Sequence, residues 1–210
     1  MSAETDTFNT TAQASEGIYK DKGSKFLAFA IPLCHENDLK PVIDALKKEH
    51  FKAVHFCFAY RLGVDGSIFR TNDDGEPSGS AGKPILNTLI SRNLTNIAVI
   101  VVRYWGGTLL GVSGLINAYK SASEEALNNA IVIEKTVDLV YQLRFEYLAM
   151  NDVMKIIKQF DIKILSQVFD NECVMKVSFR KSLEKQILEK LNPDDKIVSY
   201  SEQVLAKVGK

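Results

Sequence analysis

The stretch 97-IAVIVVR-103 indicates the centre of a β-sheet. Its six consecutive apolar residues leave neither face of a strand polar, which is typical of a strand buried on both sides. A run of this length is far too short to span a bilayer. We therefore expect a sheet whose central strand is covered on both faces.

The sequence before this run predicts further strands and helices. Residues 24–31 are expected to form a strand, and an amphipathic helix is expected from about Asn37 to His50. In the next strand, 53-AVHFCFAYR-61, alternation sends the aromatic residues into the core and leaves His55 and Arg61 on the less buried face. A turn leads to a short strand at 67–71, and Pro84 favours the start of a helix.

The sequence after residue 130 indicates a second domain. Residues 137–147 alternate strictly, with every aromatic on the apolar face, so this strand offers no platform on which RNA bases could stack. The predicted order from there on is β-α-β-β-α-β, the ferredoxin-like arrangement. The fold class is therefore α+β, with a flexible N-terminus over residues 1–15, a first domain over 16–133 and a second over 134–210.

The composition is that of a globular protein, since 46% of the residues are hydrophobic and 25% are charged. The formal net charge is zero, so the whole molecule is not expected to attract nucleic acid, although a local basic patch stays open. Cys34, Cys57 and Cys173 are too few and too far apart for a disulfide or zinc framework. The polar N-terminus lacks a signal peptide. We expect a soluble cytoplasmic protein without a membrane anchor.

Two glycine-rich loops, at 73–86 and 105–114, each lead into a predicted helix. The phosphate loop of nucleotide hydrolases is absent, because its first glycine falls on Pro77 and its hydroxyl position on Pro84. The dinucleotide fingerprint is absent too. Backbone N–H groups at a helix start can still hold an anion. The alternative is that these glycines only form tight turns.

Acidic and nucleophilic residues lie close to the first loop. Asp73, Asp74 and Glu76 are candidates for acid–base carboxylates or metal ligands, although turn formation by Asp-Asp-Gly is the favoured interpretation. His55 and Cys57 share one face of a strand and could form a thiolate–imidazole pair. Side chains that stand parallel on one strand rarely reach the required geometry, so covalent catalysis is disfavoured.

Four segments together resemble the signature of the IMPACT family. They are 22-KGSKF-26, 55-HFCFAY-60, 73-DDGEPSGSAGKPIL-86 and 99-VIVVRYWGGTLLGVSGLINAY-119. The resemblance extends over the chain from about Gly17. Ser113 replaces a glycine of the usual Gly-Thr-Gly-Gly-Leu, which makes close approach of a ligand there less expected, and Ser80 replaces a threonine.

The resemblance implies an N-terminal domain similar to domain IV of elongation factor G and to RNase PH. It implies a C-terminal domain similar to domain V of elongation factor G. It also implies a link to translational control, because eukaryotic members influence the kinase that senses amino-acid starvation. Their additional N-terminal interaction domain is not expected in this sequence, so that kinase role is not transferred, and no catalytic residue is carried over.

The leading hypothesis is a non-enzymatic regulator that binds RNA, a ribosome or a translation factor and needs no cofactor or metal. Phosphate oxygens would be held by backbone N–H groups and by cationic side chains. The residues predicted to form this surface are Lys25, His55, Arg61, Gly79, Ser80, Gly82, Lys83, Arg103, Gly106 and Gly107. One alternative is an enzyme acting on a phosphorylated or nucleotide-like small molecule through Asp73, Asp74 or Glu76. Another is a protein-interaction module with an exposed apolar patch.

Overall fold

The computed structural model describes residues 6–170, 172–191 and 198–203, the last of these by backbone only. The described residues divide into two compact units. The first unit spans Phe8–Glu134, and the second combines the residues up to Thr7 with those from Lys135 onward. The fold is α+β, with helices and sheets in each unit.

The first part of the chain supplies seven strands and three helices. The strands are β1 (Thr7–Thr11), β2 (Ser15–Asp21), β3 (Ser24–Pro32), β4 (His55–Leu62), β5 (Ile68–Asn72), β6 (Ile97–Tyr104) and β7 (Val132–Thr136). The helices are α1 (Leu39–Glu49), α2 (Gly82–Ser91) and α3 (Gly111–Asn128). Five of the strands form an antiparallel sheet in the order β2-β3-β6-β4-β5, and β1 pairs with β7.

Strand β6 lies at the centre of the five-stranded sheet. Val99 and Val101 belong to the core that α2 and α3 cover, whereas Ile100 and Val102 belong to the core on the α1 side. All four are fully buried. The predicted central strand with two covered faces is therefore confirmed.

Strand β4 differs from its predicted amphipathic pattern. Phe56 and Phe58 enter the core on the α1 side, but Cys57 and Ala59 are fully buried in the core beneath α2 and α3. The expectation of a less buried face holds only at His55 and Arg61, because the small side chains between them leave room for two helices to pack over that face. Only the ends of this row, such as His55, are partly exposed.

The expected flexibility of residues 1–15 is wrong for the described part of that segment. Residues Thr7–Thr11 form β1, and the side chain of Phe8 is buried. Two polar groups of this segment find partners far along the chain: Thr10 Oγ1 donates to the carbonyl of Asn96 at 3.1 Å, and Ala12 N–H donates to the carbonyl of Ile131 at 2.9 Å. Pairing of this kind lets a polar sequence form an ordered strand. Residues 1–5 lie outside the described residues.

From Asp138 onward, the described residues of the second unit form four strands and two α-helices in the order β-α-β-β-α-β. They are β8 (Asp138–Phe145), α4 (Met150–Gln159), β9 (Lys163–Phe169), β10 (Cys173–Arg180), α5 (Glu184–Leu191) and β11 (Val198–Gln203). The sheet order is β11-β8-β10-β9, with every neighbouring pair antiparallel. This is the ferredoxin-like order predicted from the sequence.

The alternation predicted for the first strand of this unit holds along β8. Leu139, Leu143 and Phe145 join the core formed with α4 and α5. Val140 is also buried although its parity points away from that core, and Tyr147 is 53% exposed because it lies beyond the end of the strand. In the described residues, no helix is long and apolar enough to cross a membrane.

Candidate functional site

Both glycine-rich loops lie at the same end of the five-stranded sheet. The first, residues 73–81, follows β5, and the second, residues 105–110, follows β6. The start of β4 reaches the same end, since His55 lies directly opposite Arg103. Helices α2 and α3 pack against each other, each begins just after one of the two loops, and Arg92, just after α2, contacts Asn128, at the end of α3. Their first turns and the two loops therefore meet at one edge of the unit, which we call the loop edge.

The first loop is closed by its own carboxylate. Asp73 Oδ2 accepts the N–H of Gly79 at 2.9 Å, and Oδ1 accepts those of Ala81 at 3.0 Å and Gly82 at 2.8 Å. The N–H of Ser80 donates to Pro77 at 3.0 Å. The expectation that Gly79, Ser80 and Gly82 present open N–H donors is therefore wrong, because an internal anion and a turn already use them.

Asp74 fixes the first turn of this loop. Its Oδ2 accepts the N–H of Phe56 at 2.7 Å, and its carbonyl lies 2.7 Å from Nδ1 of His55. A carbonyl only accepts, so Nδ1 of His55 is the donor in this contact. Asp74 has a φ of +41°, a conformation that Asp tolerates in turns. Its side chain thus holds the loop against the start of β4.

A buried polar cluster lies behind the loop and centres on Glu76. Its Oε1 accepts hydrogen bonds from Nη1 of Arg103 at 2.5 Å and from the hydroxyl of Tyr119 at 2.7 Å. The side chains of Glu76 and Arg103 are only 3% and 7% exposed. Nε2 of His55 is 3.9 Å from the same oxygen. The cluster therefore pairs a buried cation with a buried anion inside the fold.

Neither the thiol nor the phenol of this cluster is poised for chemistry at neutral pH. Burial raises the pKa of Cys57, whose Sγ donates to the carbonyl of Asp73 at 3.0 Å and lies 3.3 Å from the Tyr119 hydroxyl. Burial likewise raises the pKa of Tyr119, and its contacts with Cys57 and Glu76 add to the effect. A thiol must ionise before it attacks, so the arrangement does not favour a nucleophile at Cys57.

The guanidinium of Arg103 is committed to the interior. The residue is 5% exposed, and its guanidinium lies 5.4 Å from the ring centroid of Phe26. Its Nε is buried without a hydrogen-bond partner in the described part of the chain. Its Nη1 is already bound to the carboxylate of Glu76. The expectation of an open guanidinium fork at this position is therefore wrong.

The three candidate carboxylates do not converge on a common centre. Asp73 points to the start of α2, Asp74 to β4 and Glu76 to Arg103. Within the described ranges, no three His, Cys, Asp or Glu side chains are placed to hold a metal ion. The unit has two clefts of about 600 Å³, and none of these three carboxylates lines either of them, although Gly79 and Lys83 line the second. One is bordered by α1 and β5, and the other is a groove between α2 and α3.

The remaining predicted cations are divided between two places. Arg61 is at the far end of β4, opposite Ile97, and its Nη1 donates to the carbonyl of Leu94 at 2.8 Å. Lys25 lies at the loop edge, opposite Tyr104. Lys83 is exposed and lines the groove between α2 and α3. The structure thus separates Arg61 from the other predicted residues.

The second loop is the more open of the two. Gly106 N–H donates to Ser24 Oγ at 3.1 Å, whereas Gly107 has a φ of +84° and open space where a Cβ would lie. Trp105 is 57% and Leu109 84% exposed. Sequence reasoning missed these two residues, although large apolar side chains beside glycines in a loop were a readable signal.

The chain also matches known proteins. A family model described as the Impact N-terminal domain matches residues 22–127. The Escherichia coli protein "IMPACT family member YigZ" is 32% identical over 159 residues, which cover 75% of this chain and 78% of that protein. This chain belongs to the IMPACT family.

Two further comparisons extend the IMPACT family match. The Bacillus subtilis protein "IMPACT family member YvyE" is 36% identical over 141 residues, which cover 67% of this chain and 65% of the length of that relative. A crystal structure described as a hypothetical protein aligns with 98% of this chain and 100% of its own, at 26% identity and a TM-score of 0.69. The four IMPACT segments quoted from the sequence include both loops of the loop edge.

Proposed function

We propose that this IMPACT family protein is a non-enzymatic regulator that binds RNA, a ribosome or a translation factor through the loop edge of its first unit. The observation that carries the proposal is the contrast between the loops. The first is held shut by Asp73, whereas the second exposes Trp105 and Leu109 beside Gly107. Exposed apolar residues on a glycine-rich loop are typical of surfaces that meet a macromolecule.

The link to translation comes from family membership. The IMPACT resemblance implies translational control and a likeness of the two units to domains IV and V of elongation factor G. We extend both implications to this chain as part of the proposal, together with a cytoplasmic location. Lys25, Lys83 and Gly107 are the predicted site residues that remain available at the loop edge, whereas the N–H of Gly106 is used by Ser24.

The alternative of an enzyme receives less support. Asp73 and Glu76 already accept hydrogen bonds from donors of the protein itself, and Asp74 holds the start of β4. A catalytic carboxylate would need to face a cleft that admits a substrate. The alternative of a protein-interaction surface is favoured by the exposure of Trp105 and Leu109, and it differs from the main proposal only in the partner.

The proposal is tested by sedimentation of cell extracts on sucrose gradients. The tagged wild-type protein is expected to travel with ribosomal particles or with translation factors identified by mass spectrometry. Leu109→Asp should reduce that association by about tenfold, because a charge replaces a contact residue at the centre of the surface. The matched control is Leu148→Asp, since Leu148 is 91% exposed in the second unit. A wild-type protein that sediments alone, or equal losses for both variants, would refute the proposal.

A further inference from the structure

The hairpin of β2 and β3 places three lysines at the loop edge. Lys20 lies directly opposite Lys25 across the hairpin, and Lys25 lies opposite Tyr104. Lys22 stands in the two-residue turn with Gly23, and the φ values of +43° and +82° are the combination typical of a type I′ turn. Lys20 and Lys22 are exposed, and Lys25 is partly exposed. We call Lys20, Lys22 and Lys25 the hairpin lysines.

The hairpin tip is docked against the second loop. A Cβ on Gly106 would overlap the carbonyl carbon of Gly23 and the nitrogen of Ser24, so the two backbones are in direct contact. Trp105 therefore lies between Tyr104, which faces Lys25, and Gly106, which touches the turn. The hairpin lysines and an indole that is 57% exposed share one end of the sheet.

This arrangement is unfavourable for the folded protein alone. Like charges directly opposite each other on two strands destabilise a hairpin. A lysine with positive φ is strained, and Asn is the residue that a type I′ turn prefers before glycine. None of the hairpin lysines forms an ion pair within the described structure, and neither does Asp21 beside them. Local costs without an internal benefit are expected where a sequence is selected for binding.

We propose that the hairpin lysines and Trp105 bind single-stranded RNA. The lysines would hold phosphate oxygens, and the exposed indole would stack on a base, the combination that single-strand binding surfaces use. Acidic side chains alone would satisfy the lysines but offer no flat ring on which the indole could stack. This inference rests on the proposed function, because it names the partner class of the same loop edge.

The affinity is expected to depend on salt in a way that reports three phosphate contacts. For single strands the slope of log K against log salt is roughly −0.7 per contact, which gives about −2 for three lysines. A rise from 50 to 200 mM KCl should therefore weaken binding by about 20-fold. The zero net charge of the chain means that distant charges add little to this slope.

The experiment is fluorescence anisotropy with a labelled 20-nucleotide oligouridylate at both salt concentrations. Lys20→Gln/Lys22→Gln/Lys25→Gln should weaken binding at 50 mM KCl at least tenfold and remove the salt slope. Trp105→Ala should weaken it by roughly tenfold, the loss of one stacked base. The control is Lys155→Gln/Lys158→Gln/Lys185→Gln, which changes three lysines of the second unit and should bind as the wild type does.

Lys22→Asn separates binding from folding. Asn suits the type I′ turn better than Lys, so this variant should be as stable as the wild type or more so. It should nevertheless bind the oligouridylate about threefold more weakly, with a shallower salt slope. The inference would be overturned if Lys22→Asn and the triple lysine variant, each measured separately, both bound the oligouridylate as tightly as the wild type does.

The outcomes also distinguish this inference from the proposed function. If the wild type associates with ribosomal particles or translation factors but does not bind oligouridylate, the RNA site is refuted and the proposed function stands. If polyglutamate binds as tightly as the RNA and Trp105→Ala has no effect, the surface serves an acidic protein and the inference is again overturned. If neither ribosomes, factors nor RNA are bound, both proposals fail.

Discussion

The carboxylate of Asp73 accepts the backbone N–H of Gly82 at 2.8 Å. It also accepts the N–H groups of Gly79 and Ala81, so one side chain satisfies three donors in the loop and at the start of α2. A negative charge at a helix N-terminus is stabilised by the helix dipole. The loop that resembles a phosphate cradle is thus filled by an anion of the protein itself.

Asp73→Ala is expected to lower the free energy of unfolding by about 2 kcal/mol, the upper range for loss of a helix N-terminal cap. Urea unfolding can be followed by the fluorescence of Trp105, the single tryptophan, which lies in the first unit. Asp44→Ala is the control, because the half-exposed Asp44 pairs only with Lys40 on the surface, and it should stay within about 0.5 kcal/mol of the wild type. Equal losses in the two variants would contradict the capping role.

The Glu76–Arg103 pair makes a second prediction. Arg103→Met leaves the Glu76 carboxylate buried without its guanidinium partner, with the Tyr119 hydroxyl as its remaining hydrogen bond, and it should cost about 3–5 kcal/mol in unfolding free energy. The double variant Glu76→Gln/Arg103→Met should lose clearly less than the sum of the single variants. Any weaker RNA binding by an Arg103 variant would then follow from instability, since the guanidinium faces inward.

The matched control is the surface pair Asp152–Lys155, both of whose side chains are more than three-quarters exposed. Its double-mutant cycle in the same urea experiment should give a coupling below about 1 kcal/mol. Additive losses for Glu76 and Arg103 would show that the two residues do not act as a pair.

Much of the architecture follows from local pattern alone. The apolar run at 97–102 predicts a central strand because both faces of that strand carry only apolar side chains, so neither face is suited to solvent. The alternation after residue 137 predicts a half-buried strand, and β8 confirms it at Leu139, Leu143 and Phe145. These signals are readable because burial repeats with the period of the element.

The sequence pattern could not show whether the backbone N–H groups of the loops are free or already hydrogen-bonded. Whether Gly79 and Gly82 are open depends on where the side chain of Asp73 folds back, six and nine residues away in the chain. The burial of Arg103, in β6, depends on Glu76, which reaches it from the first loop. Both facts come from tertiary pairing of polar groups, which leaves no periodic trace in a single sequence. The cationic and glycine residues of the sequence therefore located the loop edge, but they did not show which backbone N–H groups are free there.

The adjacent glycines of the second loop should respond differently to alanine. A methyl group on Gly106 meets the backbone of Gly23 and Ser24, which cannot rotate away, so Gly106→Ala should lower unfolding free energy by about 3 kcal/mol. Gly107 has open space around it and a φ of +84°, so Gly107→Ala should cost about 1 kcal/mol, from backbone strain alone. Thermal unfolding followed by Trp105 fluorescence compares the two, and equal losses would refute the docking of the hairpin turn.

Asp6 gives the second unit a dependence on pH. Burial raises the pKa of this carboxyl, but hydrogen bonds from Ser182 and Arg180 outweigh it and lower the pKa below its ordinary 3.8. The stabilisation is therefore complete above the unfolded pKa and is lost as pH falls through the lower folded pKa. Asp6→Asn should lower the free energy of unfolding by roughly 1–2 kcal/mol near neutral pH, and the difference from the wild type should shrink below about pH 4.

Urea unfolding followed by circular dichroism at about pH 6.5 and pH 3 measures this difference. The control is Asp152→Asn, at an exposed residue, which should show little difference from the wild type at either pH. A difference for Asp6→Asn that stays constant between the two pH values would show that its charge does not stabilise the unit.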